Sequence, residues 1–280
     1  MLVKRPEGVL IGLLILYWSS CAIASEEVDR PYREHVEAGR QLLSYSGVDS
    51  HLQSVHATVL SEAQDNRITC QGESPNSSDI QSLLDEFHNP SILVDAAAQQ
   101  LTQLLNAQDK TELKKWFFSS AALKMMAVEK RFAEATEEEY VQALEHYETS
   151  QAITEERHKK IVLLNQLTGA SRFVTLLNSE ITVAVALLSG CKTDGKSQQV
   201  TNELVDAARA DKSLVSFFLQ VGMNADLAFI YSPLSDSELN EVLEFAQSDL
   251  GQRYHRALLS VTDQVLQRQN ASLSQRRFGL

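Results

Sequence analysis

Seven histidines are the first candidates for metal or acid–base chemistry in this chain of 280 residues. No two of them stand four residues apart, the helical spacing that lets two rings reach one metal ion. His51 and His56 are five residues apart, which turns their rings about 140° away from each other on a helix. We therefore predict neither a metal site nor a cofactor, and we interpret the histidines as surface or partly buried rings.

The usual sequence motifs of nucleophilic catalysis and of phosphate binding are also absent from the chain. The chain has no glycine-rich phosphate loop and no Gly-x-Ser-x-Gly turn of the α/β-hydrolase kind. Cys70 and Cys191 lack the Cys-x-x-Cys spacing of a dithiol catalyst. A Ser-His-Asp site assembled from distant residues would leave no local pattern, so that alternative stays open.

Two acidic segments are interpreted as helix starts rather than as catalytic carboxylates. Thr136 and Ser235 are each followed three residues later by a glutamate, Glu139 and Glu238, which is the capping-box pattern. Carboxylates in a first helical turn are also stabilised by the helix dipole. The acidic run 137–139 therefore predicts the beginning of a helix.

The first 24 residues have the features of a secretory signal peptide. Lys4 and Arg5 precede an apolar run at 9–18, which is too short to span a membrane, and Ala-Ile-Ala at 22–24 predicts cleavage after Ala24. We therefore predict a periplasmic protein with no transmembrane span in the mature chain. The segment 18–21 is similar to a lipoprotein cleavage site, so acylation at Cys21 is the alternative.

Composition favours a helical, acidic protein. The chain has 11 Gly and 5 Pro among 280 residues, 44% hydrophobic residues and a net charge of −12. Scarce turn-formers disfavour a turn-dense β fold, and the acidic balance argues against binding to nucleic-acid phosphates or to an anionic membrane.

Signal cleavage would leave Cys70 and Cys191, an even pair that predicts a disulfide in an oxidising compartment, with two buried free thiols as the alternative.

The chain also shows weak internal similarity that predicts a tandem duplication. Gly47 aligns with Gly169 at an offset of 122, and Cys70 aligns with Cys191 at an offset of 121. Beyond the cysteines the offset falls to 100, where 117–118 and 217–218 are both Phe-Phe. We predict copies at 32–153 and 154–268, a C-terminal tail at 269–280, and a polar insertion in the first copy that begins at 71 and contains a short helix.

The period of apolar residues predicts an all-α fold of two related helical bundles packed against each other. Gly47 and Gly169 follow the first helix of each copy, where a left-handed residue ends a helix with little strain. The predicted helices are 30–46, 49–66, 92–107, 110–133, 154–168, 171–189, 197–209, 211–230 and 236–267.

The segment 234–252 resembles the signature of an exported bacterial helical family catalogued as domain of unknown function 2059. The matching residues are Glu238, Leu239, Phe245, Ser248 and Gly251, whereas Ala246 stands where that family usually has Tyr. The resemblance implies an all-helical exported domain without an established activity. Ser248 and Gly251 lie on one helix face, and we interpret them as a place where two helices approach closely.

The richest apolar stretch supplies a candidate binding pocket. Met beside aromatic residues can line a pocket for an acyl chain or a partner helix, although ordinary core packing is the alternative. The candidate pocket residues are Trp116, Phe117, Met125 and Phe217.

These observations favour a non-enzymatic periplasmic binding or interaction module, with an envelope protein or an apolar small molecule as its partner. An envelope hydrolase with a site between the two copies is the second hypothesis, and a structural envelope protein is the third. Asn76 and Asn270 also fit the N-glycosylation pattern, which we interpret as accidental in a bacterial protein.

Overall fold

The computed structural model describes residues 33–65, 76–136, 138–139, 154–189, 203, 205–206 and 214–278, and all regular secondary structure in these residues is helical. The all-α prediction is therefore confirmed. The long helices are α1 (33–45), α2 (Val48–Asp65), α3 (Ser77–Phe87), α4 (Pro90–Leu104), α5 (Ala107–Phe117), α6 (Ser120–Glu134), α7 (Glu155–Thr168), α8 (Ala170–Ser189), α9 (Leu214–Ile230), α10 (Asp236–Gln247) and α11 (Asp249–Phe278).

Side-chain caps set most of the helix starts. The Ser235 hydroxyl accepts from the Glu238 amide, and the Glu238 carboxylate accepts from the Ser235 amide, so the predicted capping box is present at α10. Thr136 and Glu139 make the same reciprocal pair. Such caps satisfy amides that the first turn leaves without helical partners. Other side-chain caps are Asn76, Asn89, Asn106, Ser119 and Thr154.

The structure corrects the predicted bounds of two helices. The helix predicted at 110–133 is divided into α5 and α6, because the chain leaves the helix at Phe118 and Ser119 caps a new one. The helix predicted at 236–267 is divided at Ser248 and then continues to Phe278. Much of the predicted C-terminal tail, 269–278, is therefore the last part of α11.

Two glycines turn the chain at corners between helices. Gly47 has φ 70° between α1 and α2, and Gly169 has φ 72° between α7 and α8. A residue with a Cβ is strained at such angles, whereas glycine adopts them readily. Both glycines therefore have the helix-ending role that the sequence predicts.

The buried side chains form two clusters that mix the two halves of the chain. The first core combines residues of α1 to α5 with residues of α8 and α11. The second core combines Ala121 of α6 with residues of α7, α9 and α10. The helices of the two predicted copies thus interleave, and the duplication itself stays a prediction.

The helix α8 lies at the centre of this arrangement. It packs against α2, α7, α9 and α11. Among the described residues it is also the one helix long and apolar enough to cross a membrane, and 56% of its most apolar window is buried within the structure. A core position is sufficient to explain its apolar composition.

Candidate functional site

Trp116 and Phe117, two of the candidate pocket residues, meet Phe245 of the family resemblance at the boundary between the two cores. The Trp116 ring stacks on the Phe245 ring, with centroids 4.3 Å apart and planes 9° apart, and Trp116 packs against both cores. Phe117 lies next to it, with its ring centroid 5.6 Å from that of Tyr254 and 5.0 Å from that of Tyr45. Aromatic contacts of this kind stabilise packing beyond simple burial. They join α5 to α10, α11 and α1.

This aromatic cluster is mostly interior. Phe117 is 3% exposed, Trp116 is half-buried, and the indole N–H of Trp116 is buried without a hydrogen-bond partner. Met125 packs against the second core, as Trp116 also does. The side chain of Phe217 lies outside the described residues, so the four-residue pocket stays a prediction. Cys70 and Cys191 also lie outside the described residues, and so does the predicted signal peptide.

The residues that carry the family resemblance build the corner between α10 and α11. The Ser248 hydroxyl donates to the Phe245 carbonyl at 2.6 Å and accepts from the Gly251 amide at 3.0 Å. A Cβ added at Gly251 would lie 2.0 Å from the Phe245 carbonyl oxygen. Ser248 and Gly251 thus lie at a turn between two helices and not on one helix face as the sequence suggested, and close backbone approach at this turn explains the Gly.

The other two residues of the motif also have structural roles. Leu239 is fully buried in the second core. The Glu238 carboxylate accepts from the Lys124 ammonium at 2.7 Å and from the Ser235 amide, and these bonds lower the pKa of Glu238 to about 2. Glu238 thus connects α6 to α10 while it caps α10.

A chain of three buried polar side chains connects α3, α8 and α11. The Asn270 amide group donates to the Glu180 carbonyl at 3.0 Å and to the Glu180 carboxylate at 2.9 Å. The Asn270 side-chain oxygen lies 3.0 Å from Nε2 of His88. His88, Asn270 and Glu180 are 1%, 1% and 2% exposed. Buried polar groups of this kind are stable only when they are hydrogen-bonded.

Burial keeps His88 neutral in this chain. Desolvation lowers the pKa of His88 to about 4, and the hydrogen bond to Asn270 opposes this shift. Because Asn270 offers its oxygen, the neutral ring carries its proton on Nε2 and donates it. Nδ1 is buried without a partner, so a second proton there would have no acceptor. His88 therefore fixes the orientation of the Asn270 amide.

Asn270 also faces a cavity of about 450 Å³ between α8 and α11. The volume lies within the range of ~300–1,000 Å³ typical of small-molecule sites. Of the residues that the structure describes, three with aliphatic side chains and three with polar ones line the cavity, together with Ala271. The aliphatic residues are Val183, Leu187 and Val205, and the polar ones are Asp206, Asn270 and Ser274.

The sequence carries no local sign of this site because its residues are far apart in the chain. Asn270 is separated from Glu180 by 90 residues and from His88 by 182. The only signal at Asn270 was the glycosylation pattern, and its burial shows that the folded protein cannot be modified there. Asn76, in the second such pattern, accepts from the Asp79 amide as a helix cap.

The Glu129 side chain of α6 contacts Tyr231, which follows the end of α9. The Tyr231 hydroxyl donates to the Glu129 carboxyl. Desolvation raises the pKa of Glu129 to about 7, against the opposing effect of this hydrogen bond. The Arg157 guanidinium of α7 holds the same turn by donating to the carbonyls of Tyr231 and Leu234. Glu129 and Tyr231 thus help to hold α6 on the second core.

Within the part of the chain that the structure describes, no three His, Cys, Asp or Glu residues form a group that could hold a metal ion.

Comparison with known proteins gives no match: no protein-family model, no curated protein and no solved structure matches the chain. The resemblance of 234–252 to the exported helical family therefore stays a prediction.

Proposed function

We propose that this protein is a non-enzymatic, exported helical binding module whose ligand occupies the cavity between α8 and α11. The observation that carries the proposal is the cavity itself, which has aliphatic and polar walls. Small-molecule sites typically combine an apolar lining with a few polar groups that fix orientation. Export rests on the predicted signal peptide.

The polar floor of the cavity supports binding. Glu180 and His88 together hold the Asn270 amide in one orientation. A polar group held by surrounding hydrogen bonds loses little conformational entropy when a ligand arrives. The site is thus preorganised by residues that do not themselves line the cavity.

The hydrolase hypothesis has weaker support from the same residues. His88 and Glu180 are titratable groups that lie beside the cavity and come from the two halves of the chain, and they are only 1% and 2% exposed. A general base must come within hydrogen-bond reach of the proton that it removes. Neither His88 nor Glu180 is among the described residues that line the cavity, and both act on Asn270 instead.

The proposal is tested with a neutral fluorescent probe, N-phenyl-1-naphthylamine, which brightens in apolar sites. We expect saturable binding of one probe per chain to the wild type. Ala271→Trp places an indole in the cavity lining and should weaken binding at least about tenfold, because it occupies the ligand volume. Gln275→Trp, at an exposed position of the same helix that does not line the cavity, is the matched control and should bind normally.

Two results would contradict the proposal. The first is an absence of saturable probe binding to the folded wild type. The second is equal binding by the Ala271→Trp and Gln275→Trp variants, since that would place the probe elsewhere. Circular dichroism of each variant ensures that only folded protein is compared.

A further inference from the structure

The corner where α5 meets α6 carries the most exposed large apolar side chain of the described residues. Phe118, which ends α5, is 58% exposed, and Leu123 in the first turn of α6 is 48% exposed. Because Ser119 caps α6, these two residues hold the positions before the cap and four after it, where apolar side chains commonly pack against each other. This spacing places two apolar side chains next to each other at the surface, with about half of each left in water.

Two lysines share the face of α5 that carries Phe118. Lys114 and Lys115 precede Phe118 by four and three residues, the spacings that bring side chains together on a helix surface. Both are exposed, and neither forms an ion pair within the part of the chain that the structure describes. Lys114, Lys115, Phe118 and Leu123 together form what we call the basic corner.

The charge of the basic corner can be read over a continuous stretch, because every residue from 107 to 133 is described. Between Glu112 and Glu129 the chain has three lysines and no Asp or Glu. One of the three, Lys124, lies 2.7 Å from the Glu238 carboxylate and is neutralised by it. The other two keep their charge, so the basic corner is positive in a chain whose net charge is −12.

Neighbouring helices add little opposing charge at the basic corner. Tyr45 of α1 contacts Phe118, with ring centroids 6.0 Å apart, and the three residues on either side of Tyr45 are uncharged. Asp49 follows them, half-buried and hydrogen-bonded to the next amide. On the other side, α10 with Glu244 contacts α5 through Trp116, which lies about 160° around the helix from Phe118. The lysines therefore dominate the charge of the exposed α5 face.

Projection and screening indicate which partner the basic corner fits. Side chains that are 58% and 48% exposed project from the surface, whereas a partner helix binds in a groove. Salt at about 0.1 M screens charges farther away than about 10 Å, so the acidic remainder of the chain acts weakly at the point of contact. An anionic bilayer supplies negative phosphates for the lysines and an apolar interior for the two apolar side chains.

We propose that the basic corner docks this protein on the surface of an anionic lipid bilayer. Phe118 and Leu123 enter the interface between head groups and acyl chains, while Lys114 and Lys115 contact lipid phosphates. The contact is peripheral and involves no membrane-spanning segment. It is independent of the cavity between α8 and α11, so either proposal can fail without the other.

The test measures co-sedimentation of the predicted mature chain, which begins at Ser25, with sucrose-loaded vesicles. The vesicles are phosphatidylcholine alone or phosphatidylcholine with one third phosphatidylglycerol. We expect binding to the anionic vesicles to be at least about tenfold stronger at low ionic strength, since each lysine near such a surface is attracted to it. Added salt should weaken this binding.

Paired substitutions separate insertion from charge attraction. Phe118→Ser with Leu123→Ser removes the apolar side chains and should weaken binding to anionic vesicles at least about tenfold. Lys114→Gln with Lys115→Gln should weaken binding by a similar factor at low ionic strength. Phe118→Trp keeps an aromatic ring that suits the membrane interface and should bind as well as the wild type.

Control variants make comparable changes away from the basic corner. The Phe117 ring contacts Tyr254 near the start of α11, and Arg268 and Arg276 lie roughly 21 and 33 Å farther along this helix at ~1.5 Å per residue. Arg268→Gln with Arg276→Gln therefore removes two exposed charges far from the lysines. Ile92→Ser removes a 43%-exposed apolar side chain from α4. Both controls should bind normally.

Three results would overturn the proposal. The first is equal binding, or no binding, of the folded wild type to the two kinds of vesicle, which would leave the basic corner to a protein partner. The second is unchanged binding after the paired serine substitutions, which would remove Phe118 and Leu123 from the contact. The third is an equal loss of binding in the control variants. Circular dichroism of each variant ensures that folded proteins are compared.

Discussion

Glu129 is a half-buried carboxyl group that folding places against the Tyr231 hydroxyl. Its pKa of about 7 in the folded chain, against about 4.5 unfolded, means that the fold favours the protonated form. The stabilisation is therefore complete below about pH 4.5 and is lost as the pH rises through about 7.

His88 and His255 have the opposite dependence, because burial lowers both pKa values to about 4. Their contribution is present above about pH 6.5 and is lost as the pH falls toward 4.

Glu129 and the histidines contribute to stability with opposite pH dependence, and Glu129→Gln isolates the contribution of Glu129. Glutamine keeps an acceptor for the Tyr231 hydroxyl but does not ionise, so the variant should be more stable than the wild type at pH 8 by about 1–2 kcal/mol. At pH 5 the two proteins should be nearly equal. Urea unfolding at both pH values measures the difference, and the histidine contributions cancel in the comparison.

The exposed Glu241 supplies the control for this measurement. Glu241→Gln makes the same chemical change at an exposed position of α10 and is measured beside Glu129→Gln at both pH values. A Glu129→Gln variant whose stability relative to the wild type did not change between these pH values would contradict the role assigned to desolvation.

Neighbouring helices are held together by close contacts at their corners. The α10–α11 corner needs a glycine because Gly251 lies against the Phe245 carbonyl. The same corner carries Phe245, whose ring stacks on Trp116 of α5. A change at Gly251 therefore disturbs both the corner and the boundary between the two cores.

Two alanine substitutions test this explanation. Alanine is intrinsically better than glycine in a helix by about 1 kcal/mol. Gly222 of α9 has open space where a Cβ would be, so Gly222→Ala should stabilise the protein by up to that amount. Gly251→Ala should instead destabilise it by about 1–3 kcal/mol, because the new methyl group forces the corner apart. Equal effects on the melting temperature would contradict a packing role for Gly251.

Much of the helix pattern could be predicted because its determinants are local. Capping residues such as Ser235 and corner glycines such as Gly169 act on their immediate neighbours, so sequence spacing reveals them. The extension of α11 to Phe278 depends instead on tertiary contact, since Asn270, Leu273 and Arg277 are polar or isolated apolar residues that become buried on other helices. The cavity was invisible for the same reason, because α8 and α11 meet only in the folded chain.

At the scale of the whole molecule, export and covalent state stay predictions that one mass spectrum can test. Signal cleavage should give a mature chain that begins at Ser25 and lacks Cys21. In denatured, non-reduced protein, a bridge between Cys70 and Cys191 should lower the mass by two hydrogens relative to the reduced chain. A fatty-acylated N-terminal peptide would show the lipoprotein alternative, and an unchanged mass on reduction would exclude the disulfide.

The central claim, that the cavity between α8 and α11 is a ligand site, is tested most directly by methyl NMR of the folded protein. N-phenyl-1-naphthylamine should shift the methyl resonances of Val183 and Leu187, which line the cavity. It should leave those of Leu164 and Leu239 unchanged, because these residues belong to the second core. Shifts confined to the second core, or saturable probe binding with no change at Val183 and Leu187, would contradict the account.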